Sequence, residues 1–125
     1  MRTSQVSIEF TEDLLKVVRP FIREYLSHLS EKGIHAEVGI NEALNNAFSH
    51  GNDKGTVRLT MYEQNRKLIV RLKDNGEGFE GNRTPHVPPG ELDHGRGLFL
   101  MESFFERVIY NRTGNELLMM KYIRD

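Results

Sequence analysis

Val6, Ile8 and Phe10 alternate with Ser7 and Glu9 near the start of the chain, which is the two-residue period of a half-buried strand. Leu14, Val18, Phe21, Tyr25 and Leu29 then recur at helical spacing and predict a first helix near 12–31. Thr11 is its expected N-cap, Glu12 and Asp13 favour its first turn, and Gly33 is its expected stop. Pro20 lacks a backbone donor and is expected to kink or restart it. A second helix is expected from about Ile34 to His50, with Gly51 and Asn52 as the stop signal. Two faces can be read on it: Ile40, Leu44, Ala47 and Phe48 as an apolar stripe, and Glu42, Asn45, Asn46 and Ser49 as a polar one.

Farther along, Val57, Leu59 and Met61 and then Leu68, Val70 and Leu72 alternate with polar residues and predict a β-hairpin turning near Gln64 and Asn65. The span from Gly76 to Gly97 carries six glycines, three prolines and little periodicity, longer than most loops in compact domains, and reads as a lid. Beyond it, a short helix is expected at Leu98 to Phe105, then strands near Arg107 to Asn111 and Glu116 to Ile123 around a Thr113-Gly114-Asn115 turn. Neighbouring hairpins, rather than alternating strand and helix units, argue for an α+β two-layer sandwich, a mostly antiparallel sheet covered by helices on one face.

With 125 residues and 38% hydrophobic content, the chain fits a single domain, 1–125. Its 17 basic and 18 acidic residues nearly balance, and no basic stripe interleaved with aromatics marks a nucleic-acid surface. The absence of cysteine removes disulfides, thiolate metal sites and cysteine nucleophiles, in keeping with a reducing compartment. No apolar run approaches the roughly 20 residues that span a bilayer, and the expectation is a soluble, cytoplasmic protein without a membrane partner.

Three constellations can carry chemistry. Glu42 and Asn46 stand one helical turn apart, so a carboxylate able to take a proton and a neutral amide oxygen suited to magnesium project together; taken alone the pair also reads as a solvated polar face. Asp74-Asn75-Gly76-Glu77-Gly78 ends a strand, where an aspartate can accept from an exocyclic amine such as that of adenine; as an isolated pattern it also reads as an ordinary turn. Gly95-Arg96-Gly97-Leu98 opens a helix, where unpaired amides attract phosphate, while Arg96 either contacts phosphate or points to water. No P-loop, Gly-x-Ser-x-Gly or His-Glu-x-x-His pattern occurs, and the five histidines lack metal-ligand spacing.

In their order and spacing, these elements resemble the N box, G1 box and G2 box of the GHKL ATP-binding superfamily, which includes gyrase and the sensor histidine kinases. The match is strongest to the anti-sigma factor serine/threonine kinases. The resemblance implies a Bergerat ATP-binding fold, ATP and Mg2+ as cofactors, Glu42 as general base, Asn46 as magnesium ligand and Asp74 as the adenine-recognising carboxylate. Gly76, Gly78, Gly95 and Gly97 would shape the lid and phosphate turns, and Asn45, Ser49, His50, Phe79, Arg96 and Leu98 complete the expected nucleotide pocket. Partners implied are a sigma factor and an anti-anti-sigma (STAS) protein phosphorylated on serine, with Arg19 on the partner surface and a homodimer as an option. Alternatives are a non-kinase nucleotide-dependent switch that activates a phosphatase partner, or the ATP-binding domain of a sensor histidine kinase. One departure is that Asn115 and Glu116 stand where such proteins usually offer an adenine-contacting threonine.

Overall fold

The computed structural model describes residues 5–49, 55–74, 100–111 and 115–125. The elements run β1 (Val6–Thr11), a 3-10 turn (Glu12–Leu14), α1 (Leu15–Leu29), α2 (Glu31–Ser49), β2 (Thr56–Gln64), β3 (Lys67–Asp74), a helical segment at 100–104, β4 (Arg107–Tyr110) and β5 (Glu116–Tyr122). The five strands form one sheet in the order β1-β2-β3-β5-β4, every pair antiparallel. Helices cover one face, giving the expected α+β sandwich. The expected lid, 76–97, lies outside the described residues, as do Thr113 and Gly114 of the last turn.

Strand alternation sends Val57, Leu59 and Met61, then Leu68, Val70 and Leu72, then Leu117 and Met119, to the helical side, where all are buried. Above them α1 contributes Val18, Ile22 and Leu26, and α2 contributes Ile40, Leu44 and Phe48. The buried row of α1 is therefore rotated from the expected stripe. Phe21 and Leu14 are 42% and 45% exposed, because α1 is apolar over more than half its circumference and the i, i+4 series Val18-Ile22-Leu26 takes the core.

The join between the helices also differs from expectation. Thr11 does not cap a backbone amide; its hydroxyl donates to the Asp13 carboxylate. The α1 helix runs through Pro20 without a restart and ends at Leu29, and extended Ser30 (φ −176°, ψ 168°) separates it from α2. Gly33 is thus not a terminator but lies in the first turn of α2. Its amide donates to the Ser30 carbonyl at 3.0 Å and to Ser30 Oγ at 3.2 Å, a serine N-cap. A Cβ on Gly33 would stand 2.8 Å from the Leu26 carbonyl oxygen, so glycine lets the two helix ends approach.

The β2–β3 hairpin closes through Asn65 and Arg66, with φ of 53° and 68°, flanked by the Gln64–Lys67 pair. Two successive positive φ values are those of a type I′ turn, whose twist suits antiparallel strands. At the other end of the chain Arg124 ties the C-terminal segment to α1 and β2, since Nη2 donates to the Leu29 carbonyl and to the buried Glu63 carboxylate, which Nε also meets. No described helix is long and apolar enough to cross a membrane.

Candidate functional site

An α-helix advances about 100° per residue, so the single polar face expected on α2 divides into two flanks. One flank carries Glu37, Asn41 and Asn45 and faces α1: Arg23 Nε meets Glu37 Oε2 at 3.0 Å, and Arg19 Nη2 donates to Asn45 Oδ1 at 2.6 Å. The opposite flank carries Gly39 and then Ala43, Glu42 and Asn46. Gly39 adjoins the segment after the loop, where a Cβ would lie 2.6 Å from the Phe105 ring. Glycine is therefore what lets residues 101–105 lie against α2.

Glu42 and Asn46 are half-buried on that second flank, and neither side chain makes a hydrogen bond or ion pair with another described residue. Ser49, exposed, donates its hydroxyl to the Asn46 carbonyl at 3.4 Å. Asn45 stands one residue away but is turned to the α1 seam with Arg19.

Asp74 ends β3 on the helix-facing side of the sheet and is 6% exposed. Its height relative to α2 follows from the pairing register. Phe10 lies opposite Val57, and Val57 opposite Asp74, so the three form one inward-facing row across β1, β2 and β3. Phe48 of α2 packs its ring on Phe10, centroids 5.8 Å apart. The row ending in Asp74 therefore lies at the level of the last turns of α2, the turns that carry Asn46.

Beside Asp74 the last hairpin is braced by two asparagines. The Asp74 amide donates to the Asn115 carbonyl at 2.8 Å, and the Asn111 Oδ1 accepts from the amides of Asn115 and Glu116 at 3.0 and 3.1 Å. Asn111 escaped the sequence reading. Its signal was an asparagine leading a short turn, where the side-chain oxygen can bond backbone amides farther on. Gly39 escaped as well, since a mid-helix glycine announces a close neighbour without naming it.

Of the expected pocket residues, His50, Gly76, Gly78, Phe79, Gly95, Arg96, Gly97 and Leu98 lie outside the described residues. Among the described residues no group of three or more histidine, aspartate or glutamate side chains is placed to hold a metal.

Residues 8–121 match the histidine kinase-like ATPase domain, and the chain belongs to that family. Relatives of the chain include proteins named as serine-protein kinases. The Serine-protein kinase RsbW of Listeria monocytogenes serotype 4a (strain HCC23) is 34% identical over 104 residues, covering 71% of this chain and 65% of that protein. The protein of the same name from Staphylococcus epidermidis is 26% identical over a 145-residue alignment, covering 94% of this chain and 91% of its own length. Against the Listeria relative, the chain spans just under two thirds of the length.

Proposed function

We propose that this chain is an ATP-binding anti-sigma factor with serine/threonine protein kinase activity, binding a sigma factor and phosphorylating an anti-anti-sigma partner on serine. The observation that carries the reading is the pairing of Glu42 with Asn46. Two half-buried polar side chains stand one turn apart, unengaged by other described residues, on a helix whose last turns are level with the buried carboxylate of Asp74, in a chain of the histidine kinase-like ATPase family.

In this reading Asp74 accepts from the exocyclic amine of adenine. A carboxylate buried in this way suits the role, because a hydrogen bond to it is shielded from competing water. Asn46 offers one neutral oxygen to Mg2+, and such a sparse donor set suits an ion that keeps its waters and phosphate ligands instead of entering a closed protein cage. Bound magnesium would neutralise charge on the transferring phosphoryl group. Glu42 orients the serine hydroxyl of the partner and takes its proton as the serine oxygen bonds the γ-phosphorus; the bond from that phosphorus to the β–γ bridging oxygen breaks, and ADP leaves.

The test is transfer from γ-labelled ATP to a purified STAS-domain protein, run beside calorimetric nucleotide binding. Glu42→Ala is expected to lower transfer at least about a hundredfold while preserving ATP affinity, and Asp74→Asn to weaken ATP binding. Unaltered transfer by Glu42→Ala would remove the base assignment. A stable ATP-dependent complex with no label on the partner would replace the kinase by a binding switch.

A further inference from the structure

No described element covers the sheet face turned away from the helices, and its side chains are fixed by the same alternation that buries their neighbours. At its centre Ile69 lies opposite Met120, and Leu118 opposite Ile109, so four apolar side chains on three adjacent strands make one patch. Tyr122 continues it at one end, and Ile109 and Tyr122 are 43% and 50% exposed. Apolar surface gathered in this way, rather than scattered singly, marks a contact site.

Charge on this face is one-sided. Among the described residues, Arg58, Lys67, Arg71, Lys73 and Arg107 project from it against Glu9 and Glu116, while Glu106 at the β4 edge accepts from the Tyr122 amide at 2.7 Å. Glu9 is committed to Arg58 at 2.8 Å, and this guanidinium holds its carboxyl below the usual carboxylate range. Glu116 lies opposite Lys73. That leaves Lys67, Arg71 and Arg107 with no acidic partner among the described residues, in a chain whose formal charge is −1. Beside the apolar patch is a depression of about 230 Å³ lined, among the described residues, by Gln5, Thr60, Tyr62 and Arg71. An arginine with amide and hydroxyl neighbours is a receptor for a carboxylate, which it can bind with two parallel hydrogen bonds.

We infer that the open sheet face docks an acidic segment of a protein partner, with one carboxylate on Arg71 in the depression and intervening apolar side chains against Ile69, Leu118, Met120 and Ile109. A second copy of this chain fits poorly, since two-fold packing of the face on itself sets the same unpaired cations against one another. Single-stranded nucleic acid fits poorly too. Bases need aromatic platforms, and of the two tyrosines on this face Tyr62 is only 7% exposed.

The experiment is an amide-shift titration of the isotopically labelled full chain with a short synthetic peptide alternating glutamate and leucine. The same peptide with lysine for glutamate, and oligothymidylate, serve as the other arms. Expected are shifts confined to residues 5, 60–62, 67–73, 107–109 and 116–122, and an affinity that falls as salt rises. Arg71→Glu with Arg107→Glu, two exposed positions, is expected to lose about tenfold or more for the acidic peptide and to gain affinity for the lysine peptide, with an unchanged thermal midpoint. The inference is overturned if the acidic peptide does not bind, if it binds elsewhere or no better than its lysine counterpart, or if the charge reversal leaves its affinity intact. Stronger occupation by oligothymidylate, or a dimer in sedimentation that Leu118→Asp dissolves, would overturn it in favour of those occupants.

Discussion

Arg19 reaches across the seam between the two long helices and donates to Asn45, 2.6 Å from Nη2 to Oδ1. In the same seam Arg19 Nε and Asn41 Oδ1 are buried with no hydrogen-bond partner among the described residues, which therefore satisfy the arginine only in part. A double-mutant cycle over Arg19→Ala and Asn45→Ala, followed by thermal unfolding, is expected to give a coupling of about 1 kcal/mol. If Arg19 also meets a partner, as the family resemblance implies, the partner competes with Asn45 for it. Asn45→Ala should then tighten partner binding by about fivefold, the equivalent of that coupling, while Arg19→Ala weakens it. Equal affinity in all three proteins would confine Arg19 to the seam.

The contact of Gly39 with Phe105 makes a sharper demand. A Cβ at 39 would lie 2.6 and 2.8 Å from two ring carbons of a residue that is 2% exposed. Alanine gains helix propensity there but overpacks, and Gly39→Ala is expected to destabilise by about 1–2 kcal/mol net. Adding Phe105→Leu should recover part of that loss, so that the double variant is more stable than the summed singles. Strict additivity in chemical denaturation would show that the ring simply moves aside.

Removing the Ser30 cap tests the boundary between the helices. Ser30→Ala deletes the side-chain acceptor of the Gly33 amide, leaving the Ser30 carbonyl, and is expected to cost about 1 kcal/mol, lowering the melting temperature by roughly 2–8 °C in circular dichroism. A melting temperature equal to that of the parent would mean that solvent or the Ser30 carbonyl alone serves the amide.

Much of this architecture is written in local pattern. The alternation of Val57, Leu59 and Met61 fixed which side of β2 faces the core, and Ile40, Leu44 and Phe48 did the same for α2. Both patterns have few apolar residues off the buried side. On α1 the signal was degenerate: Phe21 and Leu14 were as apolar as Ile22 and Leu26, and only the packed partner layer chooses between two overlapping stripes. Ser30 was passed over because Gly33 is the stronger punctuation mark, yet a glycine can also mark close approach. Within the candidate site, the one-turn spacing of Glu42 and Asn46 was readable from sequence. That Asn45 turns away to Arg19, and that Asp74 reaches the level of α2, depends on helix packing and strand register, which no short window contains.

Arg66 offers a stabilising substitution. It holds φ at 68° in the β2–β3 turn, a conformation that costs a side-chain-bearing residue about 1 kcal/mol or more and glycine almost nothing. Arg66→Gly creates the asparagine-glycine pair favoured by this turn, and after the greater chain entropy of glycine is deducted should stabilise by roughly 0.5 kcal/mol. The backbone carbonyl of residue 66 still accepts the Ile123 amide at 3.0 Å, so the tie to the C-terminal end survives. A lower denaturation midpoint for the variant would show that the arginine side chain earns its place by contacts outweighing the strain.

Asp74 sits on a strand with a paired neighbour on each side, its own amide bonded to Asn115 and its inward row shared with Val57 and Phe10. Backbone so placed exchanges its proton for deuterium only when the whole sheet opens, and the amide of Asp74 should be among the slowest in the molecule. Whatever that carboxylate grips is thus gripped from the slowest-opening part of the domain, and its selectivity should persist in variants that loosen the helices above it.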